Sequence, residues 1–198
     1  LKAAYATASD VFIAGGSDAL LVETTQDLLQ DKAAVNGARD AISRSKKDIV
    51  LIAQVTVETT GTMLMGSEIG AALNALEPIG IDLIGLNCAT GPAEMSEHLR
   101  QLSKHSQVPV MVMPNAGLPI LSGDGALYPL SPAELATAHE QFVKEFGLAM
   151  VGGCCGTTPD HIAAMDNPNP GGFAPAGLER RSRSEDLGRF GRTQVGLL

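Results

Sequence analysis

A strand-length apolar run, a turn and a helix-length stretch recur along the first 165 residues at a spacing close to 31. This recurrence narrows the possible folds more than any other feature of the chain. The runs are Ala19–Val22, Ile49–Val57, Leu83–Leu86, Val108–Met113 and Leu148–Val151. They are continuous rather than alternating, as in a parallel sheet with both faces covered. The helix-like stretches are Leu28–Ser45, Glu68–Glu77, Ala93–Ser106, Pro132–Phe146 and Pro159–Met165. Ser131-Pro-Ala-Glu134 is a capping box with Pro at the first helical position, and Thr158-Pro159-Asp160 is a second start signal of the same kind. Five βα units of this length fit two architectures. One is a complete doubly wound sheet, and the other is five-eighths of a (β/α)8 barrel, which needs about 250 residues in all. Both place functional residues at the carboxyl ends of the strands.

Charge marks a boundary near residue 165. Residues 1–165 carry 9 basic and 18 acidic side chains, whereas 166–198 carry five Arg against four acidic groups. The second segment has six Gly, three Pro and no apolar periodicity, so it cannot bury enough surface to offset its ordering entropy. It reads as a linker or disordered tail. The net charge of −8 argues against a nucleic-acid partner, which calls for a basic stripe. The longest uncharged stretch, Ser106–Gly123, is broken by Pro109, Pro114 and Pro119, so no membrane span is expected. With no basic-then-apolar leader, a cytoplasmic location is the default. The chain opens on Leu1 rather than Met, which suggests an excerpt.

All three cysteines fall at strand ends. Cys88 follows the third apolar run, and Cys154 and Cys155 follow the fifth. An odd number of cysteines makes no closed disulfide framework. Three thiolates on loops held by a rigid scaffold suit zinc with its fourth tetrahedral position open, the pattern of catalytic rather than structural sites. Gly152, Gly153 and Gly156 allow the backbone to bend so that two adjacent side chains reach one ion. Two other readings stand beside this one: cysteines as small buried hydrophobes, and a vicinal or redox pair. The glycine pairs Gly15-Gly16 and Gly152-Gly153 lack the Lys and the spacing of a phosphate loop. His98, His105, His139 and His161 lie on helix patterns and read as solvated faces.

Gly85-Leu-Asn-Cys-Ala-Thr-Gly-Pro92 and Val151-Gly-Gly-Cys-Cys-Gly-Thr-Thr-Pro159 resemble the two zinc-ligand motifs of the homocysteine S-methyltransferase family. Pro109-Val-Met-Val-Met-Pro-Asn-Ala-Gly-Leu-Pro119 resembles that family's seventh strand, and Ala53-Gln-Val-Thr-Val-Glu-Thr-Thr-Gly-Thr-Met-Leu64 its fifth strand and following loop. Leu20-Leu-Val-Glu-Thr-Thr-Gln-Asp27 resembles the end of its fourth. The resemblance spans about residues 10–165 and is nearest to the cobalamin-dependent branch of the family.

The resemblance implies a zinc-bearing (β/α)8 TIM barrel, of which residues 1–165 supply the C-terminal portion. Strands four to eight are present, and strands one to three, with their substrate contacts, are not. It implies zinc held by Cys88, Cys154 and Cys155, and transfer of a methyl group to the thiol of homocysteine to give methionine. Glu23 matches the position that binds the substrate ammonium, with Asp27 near enough to compete. Asn115 matches a residue whose side-chain oxygen takes the fourth zinc position when substrate is absent. Glu58 either faces the mouth or belongs to a turn with Thr59-Thr-Gly61. The implied donor is methylcobalamin on another module, recharged by methyltetrahydrofolate on a folate-binding module. Betaine or S-methylmethionine would serve as donor in other branches, and a non-catalytic doubly wound binding domain remains the alternative from a different class.

Overall fold

A computed structural model of the chain describes residues 1–123, 125–166 and 195–197. The elements run α1 (Lys2–Ala14), β1 (Ala19–Thr25), α2 (Leu28–Ser45), β2 (Val50–Val55), α3 (Ile69–Leu76), β3 (Leu83–Asn87), α4 (Pro92–His105) and β4 (Val110–Met113). They continue with β5 (Ile120–Ser122), β6 (Gly125–Leu127), α5 (Pro132–Phe146), β7 (Met150–Val151), α6 (Pro159–Asp166) and β8 (Val195–Leu197). A short 3-10 turn, Glu77–Ile79, follows α3. Each expected strand and helix is present, with α2 and α5 matching at both ends and no end displaced by more than three residues.

The main sheet is entirely parallel, in the order β7-β4-β3-β2-β1-β8. From β1 to β7 the chain adds each main strand beside the one before. A doubly wound sheet reverses its order at a switch point, and the run from β1 to β7 has none, although β8 then returns to the edge beside β1. Its two faces also differ. Leu20, Val22, Leu51, Ala53, Val55, Ile84, Leu86, Val110 and Val112 pack against apolar residues of the helices. The alternating residues Ala19, Leu21, Ile52, Leu83 and Met111 form a smaller cluster of strand residues alone, on the other face. Helices therefore cover one face, as uniformly right-handed crossovers between successive neighbours require.

The helix starts follow local chemistry. Asp27 accepts a hydrogen bond from the Gln30 N–H and caps α2. Ser131 and Glu134 close the expected capping box at α5, with Pro132 at its first position.

Four elements, α1, the hairpin pair β5 and β6, and β8, were not expected. Helix α1 packs against α2 so closely that a Cβ on Gly37 would lie 2.5 Å from the Lys2 carbonyl oxygen. The hairpin β5–β6 interrupts the connection from β4 to α5. Strand β8, from the segment read as linker or disordered tail, pairs in parallel with β1. Most of that segment, residues 167–194 and 198, lies outside the described residues. Among the described residues, no helix is long and apolar enough to cross a membrane.

The histidine reading needs correction at two positions. His105 is exposed and His98 half-buried, but His139 and His161 are buried. His139 shares the α5 stripe of Leu135, Phe142 and Phe146, and burial pushes its pKa down to about 4, so it is neutral at pH 7. His161 is held at both ring nitrogens, by the Thr158 hydroxyl at 2.8 Å and the Leu130 carbonyl at 3.0 Å.

Asp31, in the first turn of α2, is fully buried. Burial pushes its carboxyl up to about 7. The nearby Thr25 hydroxyl, engaged with the Gln54 carbonyl, offsets little of this. The folded state therefore holds a proton that the unfolded chain releases near pH 4, and stability is lost as pH rises from about 4 to 7. Asp31→Asn is expected to raise the unfolding free energy at pH 8 by roughly 2–4 kcal/mol. Urea denaturation at pH 8 and at pH 3 checks this, because the gain should vanish at the lower pH.

Candidate metal centre

Three loops at the carboxyl end of the sheet build the centre. Strands β3 and β7 flank β4, so the loops carrying Cys88 and the Cys154-Cys155 pair lie on either side of the loop Pro114–Gly117. Backbone hydrogen bonds stitch the three together. The Cys88 N–H donates to the Met113 carbonyl, Asn115 N–H to Thr90, Cys154 N–H to Pro114 and Ala116 N–H to Cys155, at 2.8–3.2 Å. Gly91 and Gly117 make the close approach possible, since a Cβ on Gly91 would lie 2.9 Å from the Gly117 Cα.

These constraints bring the three sulfurs together. Cys88 Sγ lies 3.8 Å from Cys155 Sγ, and Cys154 Sγ lies 4.0 Å from Cys155 Sγ. All three fall within 4.8 Å of one another, and none is in a disulfide. A tetrahedral zinc with bonds of about 2.3 Å sets its sulfurs about 3.8 Å apart, so the donor set and its spacing fit that ion. The vicinal pair is not a disulfide at 4.0 Å, and the three thiols are not core fillers: Cys88 and Cys154 are half-buried and Cys155 is exposed. Burial, followed by the neighbouring cysteines, pushes the Cys154 thiol up to about 12, and burial also raises Cys88. A divalent cation among the sulfurs reverses that preference by stabilising the thiolates.

Backbone strain concentrates here. Among the described residues, four non-glycine positions have positive φ, and three of them belong to the centre: Thr24, Cys88 and Ala89, at 58°, 61° and 57°. Successive left-handed residues at Cys88-Ala89 turn the chain sharply off β3 and aim Sγ across the sheet end.

The other expected residues are placed as follows. Glu23 lies near the end of β1, half-buried, and burial raises its carboxyl pKa. Asn115 is almost fully buried, and its side-chain oxygen accepts the Cys155 N–H at 3.1 Å. In this arrangement it anchors the loop that carries Cys155. Asp27 is committed to capping α2. Glu58 sits in a turn, accepting the Gly61 N–H on its carbonyl and the Gln26 side-chain amide on its carboxylate.

Two residues escaped the sequence reading. Asn87 joins β1 to the cysteines: its oxygen accepts the Thr24 N–H at 2.9 Å, and its amide nitrogen lies 2.7 Å from the Thr24 hydroxyl and 3.9 Å from Cys154 Sγ. Its position directly before Cys88, at the end of an inward-facing strand, was the available signal. Tyr128 follows the hairpin and packs against Gly156, next to Cys155, where a Cβ would lie 2.3 Å from its Cγ. No periodicity points to it, because it arrives by a turn.

The model of the homocysteine S-methyltransferase family matches residues 1–168. The chain is 65% identical over 162 residues to the methionine synthase of Mycobacterium tuberculosis (strain ATCC 25618 / H37Rv), covering 82% of this chain and 14% of that protein. It is equally similar, over the same length, to the methionine synthase of Mycobacterium leprae (strain TN), of which it covers 13%. The chain thus spans about a seventh of the length of these curated relatives. Among solved structures, the metallated form of the homocysteine methyltransferase MmuM from Escherichia coli is 20% identical with a TM-score of 0.58. That match covers 81% of this chain and 51% of MmuM. The apo form gives a TM-score of 0.57 and covers 81% and 56%. These structures share the fold, and the family model together with the curated relatives decides the family. The chain belongs to the homocysteine S-methyltransferases.

Proposed function

We propose that the chain is the zinc- and homocysteine-binding part of a methionine synthase, folded as the last five units of a (β/α)8 barrel over residues 1–165, with 166–198 as linker or tail. The sequential parallel strand order and the helices on a single face support the barrel reading. The observation that carries the functional reading is the convergence of Cys88, Cys154 and Cys155 at the spacing a tetrahedral zinc requires.

Held by these three sulfurs, zinc supplies an open position at which a thiol with an ordinary pKa near about 8.5 becomes a thiolate at neutral pH. The residues of the chain do the rest. Glu23, across the strand ends from the cysteines, takes the substrate ammonium, and its partly buried carboxylate gains from that cation what burial costs it. Asn115 holds the Cys155 loop and so fixes the geometry of the sulfur triad. Asn87 ties the Glu23 end of β1 to Cys154, so the ammonium and thiol ends of the substrate are measured against one rigid unit. The substrate sulfur then attacks the methyl carbon: the S–C bond forms, the bond from carbon to its carrier breaks, and the electron pair leaves with the carrier. The substrate proton is lost on binding, so no general base is needed.

The donor is methylcobalamin on another module, recharged by methyltetrahydrofolate on a third. The 65% identity to two methionine synthases favours this donor over betaine or S-methylmethionine. The protein works in the cytoplasm, where reducing conditions keep the three thiols free.

Three outcomes are expected. Purified protein should bind one zinc per chain, and Cys88→Ala should lower its affinity at least a hundred-fold, measured by competition with a chromophoric chelator. The zinc-loaded protein should form methionine from homocysteine and methylcobalamin. Formation from betaine alone, detected by mass spectrometry of the product, would overturn the donor assignment. Glu23→Gln should raise the KM for homocysteine about ten- to hundred-fold with little change in kcat, as loss of one charged hydrogen bond predicts.

A further inference from the structure

The sheet face without helices carries a polar side chain that no hydrogen bond of the fold engages. Gln54 stands between Ala53 and Val55, which pack against the helices, and two residues after Ile52, which belongs to the cluster of strand residues. Alternation therefore turns Gln54 to the face without helices. It is 0% exposed, and neither its amide oxygen nor its amide nitrogen has a partner. An unpaired buried amide weakens a fold, whereas an apolar side chain of the same size would join Leu21, Ile52, Leu83 and Met111 on that face without this cost.

The surroundings of the amide belong to the candidate centre. The register of β1 on β2 runs from Val22 opposite Ala53 to Thr25 opposite Val55, so both Glu23 and Thr24 stand against Gln54 alone. This is a β-bulge, with Thr24 in the left-handed region at φ 58°. Glu23 follows Leu21 and Val22 in alternation, which puts its carboxylate on the same face as Gln54, one strand away at a spacing of roughly 5 Å. On the other side Gln54 pairs with Gly85, which brings no side chain, and two residues further along β3 the Asn87 amide lies 3.9 Å from Cys154 Sγ. A ligand held between Glu23 and the sulfurs therefore comes within one strand of the Gln54 amide, which its side-chain torsions can turn toward it.

The charge pattern says which group of the ligand that is. A thiol-bearing amino acid brings an ammonium, a carboxylate and a sulfur. In the reading above, Glu23 answers the ammonium and zinc answers the sulfur. The carboxylate shares a carbon with the ammonium and so is drawn close to the Glu23 carboxylate, where it needs a donor. Among the described residues, every Lys and Arg lies on α1, α2, α4 or α5, or in the turn after α2 at the amino end of β2. A primary amide with both N–H groups free is a donor of the right kind in the right place.

We propose that Gln54 is a substrate-binding residue whose amide N–H donates to the carboxylate of the amino acid, so that the site selects a thiol carrying both charges over one carrying the ammonium alone. The inference rests on the homocysteine reading above and adds a residue that reading does not use.

Calorimetric titration of the zinc-loaded full chain with two thiols tests it. One is L-homocysteine, and the other is 3-aminopropane-1-thiol, which keeps the thiol and the ammonium and has hydrogen in place of the carboxylate. Gln54→Leu should weaken L-homocysteine about ten- to hundred-fold, as loss of one hydrogen bond to a charged group predicts, and leave the aminothiol within about two-fold. The ligand-free variant should also melt at a higher temperature than wild type, because it no longer buries an unpaired amide. Gln54→Met, which keeps the length of the side chain, should behave in the same way and gives the comparison should the leucine variant fail to fold. Unchanged homocysteine affinity overturns the inference, and so does equal weakening of both thiols, which marks a distorted site. Lower melting temperatures in both variants assign the amide to the fold and overturn it as well. Wild-type protein that holds zinc yet binds neither thiol overturns the homocysteine reading itself, and the inference with it, a result distinct from the others.

Discussion

Everything at the candidate centre depends on one interaction: the hydrogen bonding of two outer loops to the loop that follows β4. Strand β7 is only two residues long, so pairing alone does not fix where Cys154 and Cys155 go. The Gly152 N–H to Val112, the Cys154 N–H to Pro114 and the Asn115 side chain to Cys155 extend the ladder past the end of the strand. Cys88 is held from the other side by its own bond to Met113. Remove the central loop and the two cysteine-bearing segments lose the frame that measures their separation. The chemistry is therefore a property of three adjacent strands, and the remaining units supply the rigidity that keeps those strands in register.

The strain at Thr24, Cys88 and Ala89 follows from the same design. A strand delivers side chains alternately to its two faces, and neither face is the sheet end where the sulfurs must meet. Turning the backbone into the left-handed region just past β3 sends Cys88 sideways, at a cost of order 1 kcal/mol or more per residue. Surrounding hydrogen bonds hold the turn against that cost, with Asn87 serving both Thr24 and Cys154.

Much of this was legible in the sequence because its causes are local. Continuous apolar runs marked the five main strands, and the capping box at Ser131 marked α5 to the residue. The three cysteines were legible because parallel topology puts every strand end on one side. Periodicity missed what depends on tertiary context. His139 lies on the same stripe as Leu135, Phe142 and Phe146, and its polar name hid a core position. Helix α1 and the hairpin β5–β6 show no strong pattern of their own, and they take shape from what they pack against. Asp27 and Glu58, plausible site carboxylates by position, are occupied by a helix cap and a turn. Tyr128 belongs to the most distant class, a residue brought beside the centre by a turn and by Gly156, which leaves room for its ring.

The central claim is that three cysteine sulfurs hold a zinc whose fourth position is kept for a substrate sulfur. X-ray absorption at the zinc edge tests it most directly, since it counts sulfur neighbours without reference to turnover. The account predicts three sulfurs at about 2.3 Å and one lighter ligand in the resting protein, becoming four sulfurs when homocysteine is added. A sulfur count that homocysteine leaves unchanged would contradict it.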